Sequence, residues 1–453
     1  MRKYHKTRCM DGLSSMEEAH KQIAGCVAGK DASGAMRLLE DCQQTAIEIG
    51  TAVEESEGEG TEAVRILEDY CEFVYHVHEE LAGGRTAGWG QAVKKLKKIV
   101  SRARSEIRDG LPTQYEVVFL PYKASMWDSL ESVWKAADAD PGCDAYVIPV
   151  PYYDKHPDGS YANLHYEADQ FPDYVPVMNY GQYDFEERHP DRIYIHNGYD
   201  NINIVTEVAR NFHSDRLKEW TDELVYIPYF VLNEPPEPSS PGFQKYIDGM
   251  GHFVTIPGVL NADRVVVQSE AMKKVYVRVL TELAGKETKA VWEKRIEGTG
   301  SPKFDRVLSL KKEDIAVPSE WEPYINKPDG TRKKIIFYNT SVGALLKKDE
   351  AMLEKMRKVF GTFRENADEV ALLWRPHPLI QATIEAMRPQ LWEAYKELVE
   401  WYRTEEIGIY DDTADLDRAI VISDAYYGDW SSVVCLCQKV GMPVMIQDVD
   451  VAS

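Results

Sequence analysis

Much of what would place this chain in a familiar class is missing from it. No apolar run approaches the roughly 18 residues that a membrane-crossing helix needs. Residues 1–20 are basic but hold no apolar core, so they are not read as a signal peptide and a cytoplasmic location is expected. Positive charge is in deficit: 53 Lys and Arg face 75 Asp and Glu, a formal net charge of −22. That argues against a general nucleic-acid binder, whose affinity rests on neutralising phosphates. An anionic ligand would need a cationic pocket of its own within an acidic whole. The seven cysteines (Cys9, Cys26, Cys42, Cys71, Cys143, Cys435, Cys437) are odd in number, scattered and never spaced CxxC. They read as reduced thiols rather than a disulfide frame or a zinc site. No HExxH, Walker A or GxSxG pattern occurs, which removes several hydrolase and nucleoside-triphosphatase classes. No internal repeat is evident, and neither a metal nor a cofactor is expected.

What is present has the composition of a globular protein of two or three domains, 44% hydrophobic and 28% charged over 453 residues. Residues 1–110 carry helical periodicity and hardly any strand signal, and they read as an accessory bundle of about four helices. Its last helix, residues 91–108, sets Lys94, Lys95, Lys97, Lys98, Arg102 and Arg104 against a stripe of Val93, Leu96, Ile99, Val100, Ala103 and Ile107. Such a helix could touch an anionic membrane surface from the cytoplasmic side. The plainer alternative is an apolar stripe packed in the bundle with solvated lysines.

From residue 115 strands alternate with helices, the pattern of βαβ units and parallel sheets. Strands are expected at 116–121, 145–150, 192–195, 224–228 and 264–268, with helices at 127–137 and 270–284. A long Tyr- and Pro-rich loop is expected over 151–183. Residues 111–310 are thus expected to form a first α/β domain, 311–332 a Pro-containing linker and 333–453 a second α/β domain. In the second, strands are expected at 333–340, running into a polar loop, and at 370–374, 419–422 and 443–446, with helices at 349–360, 380–402 and 433–440.

Three candidate sites fall where strands end, the edge at which open α/β sheets bind ligands. Arg375 and His377 follow a strand, held extended by Pro376 and Pro378. A forked guanidinium and an imidazole suit a phosphorylated ligand. Asp429, Ser431 and Ser432 open a helix, whose free N–H groups and positive dipole end attract anions. The blander alternative is that these three only cap the helix. His196 ends a strand of the first domain and is a candidate general base, or equally a histidine bonded to nearby backbone. Asp411, Asp412, Asp415 and Asp417 read as caps and solvated charges rather than metal ligands.

Three segments, RPHP at 375–378, SDAYYGDWSS at 423–432 and GSPKFD at 300–305, resemble in order and spacing the CDP-glycerol glycerophosphotransferase family of teichoic-acid polymerases and primases. The resemblance runs from about residue 115 to the chain end. It implies an α/β, GT-B-like fold, with two Rossmann-like domains facing a cleft and the nucleotide donor held mainly by the second. It implies a phosphotransferase of cell-wall polymer synthesis, moving a polyol-phosphate unit from a CDP-alcohol to a polymer, glycolipid or saccharide hydroxyl. His196 would be the base and His377 a contact to the donor pyrophosphate. Arg375, Asp429, Ser431 and Ser432 would surround the donor phosphates. Two departures stand out. The family's His-Gly-Thr-Pro reads His-Asn-Gly-Tyr-Asp from His196, and the chain stops at Ser453 where further helices are expected. A nucleotide-sugar GT-B glycosyltransferase, or a non-catalytic member that binds and recruits, are the alternatives.

Overall fold

The computed structural model describes residues 1–85, 88–156, 158–413 and 415–447, so the chain end at Ser453 lies outside the described residues. Two compact units emerge. The first comprises Met1–Val117 with Ala137–Ala145 and Glu187–Asp191, and the second is the remainder.

The first unit is built on four helices, α1 (Lys3–Ala28), α2 (Ala32–Glu57), α3 (Glu62–Ala82) and α4 (Trp89–Ser105). Asp31 caps α2 by accepting the Gly34 N–H at 2.9 Å, and Thr61 caps α3 by accepting that of Val64. Residues three and four apart, such as Leu39, Cys42, Ala46, Ile49 and Val53 of α2, form one buried stripe per helix. On α4 the stripe Val93, Leu96, Ile99, Val100 and Ala103 is buried while Lys94, Lys95, Lys97 and Lys98 are exposed. This is the ordinary division of a bundle helix. Among the described residues no helix is long and apolar enough to cross a membrane.

The sheets lie mostly in the second unit, with the starts of the first two strands counted in the first. Their strands are β1 (Tyr115–Leu120), β2 (Cys143–Val147), β3 (Tyr152–Lys155), β4 (Tyr161–His165), β5 (Arg192–Ile195), β6 (Thr206–Val208), β7 (Glu223–Tyr226), β8 (Arg264–Val266) and β9 (Ile296–Glu297), then β10 (Lys334–Thr340), β11 (Val370–Pro376), β12 (Ile409–Tyr410), β13 (Ala425–Gly428) and β14 (Val444–Ile446). The first sheet runs β2-β1-β5-β7-β8-β9 and the second β12-β11-β10-β13-β14. Every pairing of the second sheet is parallel. Counted within its own domain its order is the third, second, first, fourth and fifth strand, that of a Rossmann half. The fold is therefore α/β and GT-B-like, two Rossmann-like halves preceded by a helical region.

Several expectations need correction. Residues 419–422 are not a strand but the end of the helix Leu416–Ile422, which Asp415 opens by accepting the Arg418 N–H at 3.0 Å. Four apolar residues suit a buried helix turn as well as a strand, and the strand here is the next segment, β13. The helix expected over 380–402 is two, Ile380–Met387 and Trp392–Thr404, broken at Arg388 by Pro389. Residues 151–183 are not all loop, because β3 pairs antiparallel with both β4 and β6. Tyrosines of that hairpin stack across the strands, Tyr153 on Tyr161 at 4.8 Å.

Candidate active site

The C-terminal ends of β10, β11 and β13 meet in register, with Asn339 of β10 opposite both Arg375 and Gly428. Gly428 has φ +148°, and a Cβ there would lie 2.4 Å from the Asn339 carbonyl oxygen, so only glycine lets the strands approach this closely. Arg375 is buried, and its fork is engaged. Nη1 donates to Asp411 Oδ2 and Nη2 to the Thr413 carbonyl, both at 2.6 Å. The other Asp411 oxygen accepts from the Thr413 amide and hydroxyl. Asp411 is thus an internal counter-ion rather than a solvated charge.

Asp429 is likewise buried and engaged. Oδ1 takes a hydrogen bond from Lys355 Nζ at 2.7 Å, and Oδ2 from the Ser341 N–H at 2.8 Å. Ser431 Oγ accepts from Asn339 Nδ2 at 3.0 Å, while Ser432 is exposed. The helix Ser432–Lys439 begins without a side-chain cap, and of its first amides that of Val434 donates to the Ser431 carbonyl. Beside it, Lys245, Tyr246, Phe253, Trp430 and Ser431 line a cavity of about 410 Å³. Trp430 is 48% exposed at its edge.

His377 accepts the Leu379 N–H on Nδ1 at 3.1 Å, which assigns its proton to Nε2. Burial, the Lys123 ammonium and the Arg375 guanidinium together lower its pKa to about 4. At neutral pH it is an uncharged hydrogen-bond donor. The Lys123 charge comes from the first Rossmann-like half, in the turn after β1. The Lys123 ammonium lies over Tyr152 at 4.7 Å and Tyr122 at 5.6 Å, and burial lowers its pKa. Among the described residues it makes no ion pair.

His196 is placed differently from an open base. Its Nε2 accepts the Tyr122 N–H at 3.0 Å, and Nδ1 lies 2.8 Å from Ser129 Oγ. The Ser129 hydroxyl donates to the Met126 carbonyl at 2.7 Å, so Nδ1 must carry the proton. Both ring nitrogens are satisfied. Full burial, with the Lys303 charge, pushes the pKa down to about 3. In this geometry His196 ties the turn containing Lys123 to the end of β5.

The GSPKFD segment fastens the same turn. Buried Lys303 pairs with Asp128, and Asp305 accepts from Ser132 Oγ at 2.9 Å. Asp417, paired with Arg306 at 3.4 Å, is buried rather than solvated, and burial with the nearby Asp128 raises its pKa to about 7.

Sequence reasoning missed Lys123, although its position just after β1 is the signal that singled out the other sites. It also missed His165 on β4. The His165 Nε2 lies 2.5 Å from Asp154 Oδ2, and its ring stacks on Tyr152 at 4.9 Å.

No protein-family model and no curated protein matches the chain. Solved structures do resemble it. UDP-GlcNAc 2-epimerase from Methanocaldococcus jannaschii, with UDP-GlcNAc and UDP, aligns over 73% of this chain and 83% of its own at 9% identity and a TM-score of 0.43. The Neisseria meningitidis UDP-GlcNAc 2-epimerase bound to UDP-GlcNAc aligns over 73% and 82% at 11% identity and a TM-score of 0.42. The N-terminal domain of Candida albicans trehalose-6-phosphate phosphatase aligns over 73% and 82% at 10% identity and a TM-score of 0.33. At these values no residue role or substrate passes from them to this chain.

Proposed function

We propose that this protein is a phosphotransferase that moves a polyol-phosphate unit from a CDP-alcohol to an acceptor hydroxyl. The observation that carries the reading is the convergence of Lys123, which makes no ion pair among the described residues, and the His377 Nε2–H donor from the two Rossmann-like halves. In a chain of net charge −22, such a pair is the local anion site that a pyrophosphate donor needs. The Ser432 and Val433 amides at the start of the helix Ser432–Lys439 would add a second set of donors. The Trp430 face offers a stacking surface for the base.

In the proposed reaction the acceptor oxygen attacks the β-phosphorus, and the bond from that phosphorus to the bridging oxygen breaks. CMP then departs with the bridging electron pair. Lys123 and the His377 N–H stabilise the developing charge, and positioning supplies most of the remaining acceleration. The hydroxyl proton goes to His165 Nδ1, with Asp154 holding the opposite ring nitrogen and stabilising the imidazolium. His196, Arg375 and Asp429 act by holding the turns that carry these groups.

The test is CMP release from CDP-glycerol in the presence of a glycerol-phosphate-terminated acceptor. Release is expected to fall at least about 100-fold in His165→Ala, the usual scale of acid–base loss, with donor affinity kept. CMP release at the wild-type rate in that variant would remove His165 from the mechanism. Turnover of UDP-sugars with none of CDP-alcohols would replace this reading with a glycosyltransferase.

A further inference from the structure

Asp200, in the turn that follows β5, adopts φ +45°, a left-handed conformation uncommon outside glycine. Its Oδ2 accepts both the N–H and the hydroxyl of Ser214, at 3.0 and 2.5 Å. Among the described residues its Oδ1 has no partner, although the residue is only 3% exposed. A buried carboxylate oxygen without a donor is costly, so something must face it. His213 and Asp215 flank Ser214, and one ligand atom from each of Asp200, His213 and Asp215 lies within 4.8 Å of the others.

The His213 ring faces two acceptors with one nitrogen. Its Nε2 lies 3.2 Å from the Val208 carbonyl and 3.4 Å from Glu207 Oε1, and both are acceptors. The proton therefore sits on Nε2, and Nδ1 keeps a lone pair. A backbone carbonyl accepting the far N–H is the usual outer-shell support of a metal-bound imidazole. Asp215 is held by Arg210, whose two amino groups reach its two oxygens at 2.7 and 2.6 Å. Arg210 is 56% exposed and can release one oxygen.

We infer that Asp200 Oδ1, His213 Nδ1 and an Asp215 oxygen form a binding site for a divalent first-row transition ion, closing on it by a short inward movement. One imidazole and two carboxylates suit Zn²⁺, Mn²⁺ or Co²⁺ better than Ca²⁺ or Mg²⁺, which prefer oxygen throughout. The ion would pin the turn after β5 to the segment that runs from β6 into the helix Ser214–Leu217. It is independent of the phosphotransferase reading.

The experiment is calorimetric titration of the EDTA-dialysed full chain with Zn²⁺, Mn²⁺ and Co²⁺, each alone, with thermal denaturation in parallel. One equivalent is expected to bind and to raise the melting temperature, since a ligand of the native state stabilises it by mass action. Bound Co²⁺ should show ligand-field bands without thiolate charge transfer, which separates this site from the cysteines. Asp200→Asn and His213→Gln should each weaken binding at least tenfold. Arg210→Ala, which frees Asp215 at an exposed position, should tighten it and decides the matter if the buried variants do not fold. Absence of stoichiometric binding, unchanged affinity in both buried variants, or unchanged or weaker affinity in Arg210→Ala would overturn the inference.

Discussion

The Asp429–Lys355 pair separates a structural from a ligand-binding role for the loop at the end of β13. Lys355 is 1% exposed and Asp429 3% exposed. Besides the pair itself, Asp429 holds the Ser341 amide, and Lys355 donates to the Gln447 carbonyl. Asp429→Asn keeps the shape and removes the charge, leaving a buried ammonium without a counter-ion and a single amide oxygen for the two donors Lys355 Nζ and the Ser341 N–H. Breaking a buried pair in this way costs about 3–5 kcal/mol. At about 2–4 °C per kcal/mol for a domain of 150–250 residues, the melting temperature should fall by about 6–20 °C. Replacing both members, as Asp429→Leu with Lys355→Met, removes the stranded charge. The double variant should recover at least about 2 kcal/mol relative to the sum of the singles. Scanning calorimetry and urea unfolding of the wild type, Asp429→Asn, the Asp429→Leu and Lys355→Met singles and their double variant read this directly. An Asp429→Asn melting temperature within about 2 °C of wild type, combined with loss of nucleotide affinity, would refute the reasoning and return Asp429 to the donor site.

Other perturbations follow from the same geometry. His196→Ala strands the buried Tyr122 N–H and opens a cavity, so stability should drop by about 2–4 kcal/mol. The pH dependence of turnover should stay as it was, because a histidine with a pKa near 3 does not titrate in the working range. The pKa of Asp417 is raised in the folded state to about 7 from its ordinary value of 3.8. The native protein therefore binds more protons than the unfolded chain between those values, and stability falls as pH rises across that window. Asp417→Asn should flatten this slope in denaturant titrations from pH 4 to 8, and an unchanged slope would contradict the assignment. His377 stays neutral above its pKa of about 4, so its contribution to donor affinity should be level from pH 6 to 8.

How far the sequence could be read depended on the range of the interactions. The helices of residues 1–110 and the strand-helix alternation after residue 115 were legible because amphipathic periodicity is a local property. The position of these polar residues at strand ends was legible too, since chain direction in a parallel sheet fixes which edge carries the C-terminal ends. What individual side chains do there was not legible. Arg375, Asp429 and His196 are polar residues at the expected edge, but each is spent on a partner far along the chain: Asp411, Lys355 and Tyr122 with Ser129. Lys123 makes no ion pair among the described residues although Glu167 and Asp154 lie near it, because Glu167 is engaged by the Ala124 amide and the Tyr152 hydroxyl and Asp154 by His165. Residues 419–422 show the limit of local signals, because a four-residue apolar run carries no period long enough to separate helix from strand.

The measurement that bears most directly on the account is titration calorimetry of the full chain with CDP-glycerol, CDP-ribitol, CDP, CMP and UDP-sugars, repeated on Lys123→Ala and His377→Ala. Charge-assisted hydrogen bonds to a phosphate are worth about 1.5–3 kcal/mol, so each variant should weaken the CDP-alcohols by about 10- to 150-fold. The account predicts binding of the CDP-alcohols with that loss in both variants. CDP-alcohol binding that survives both substitutions unchanged, or a folded protein that binds none of these nucleotides, would contradict it.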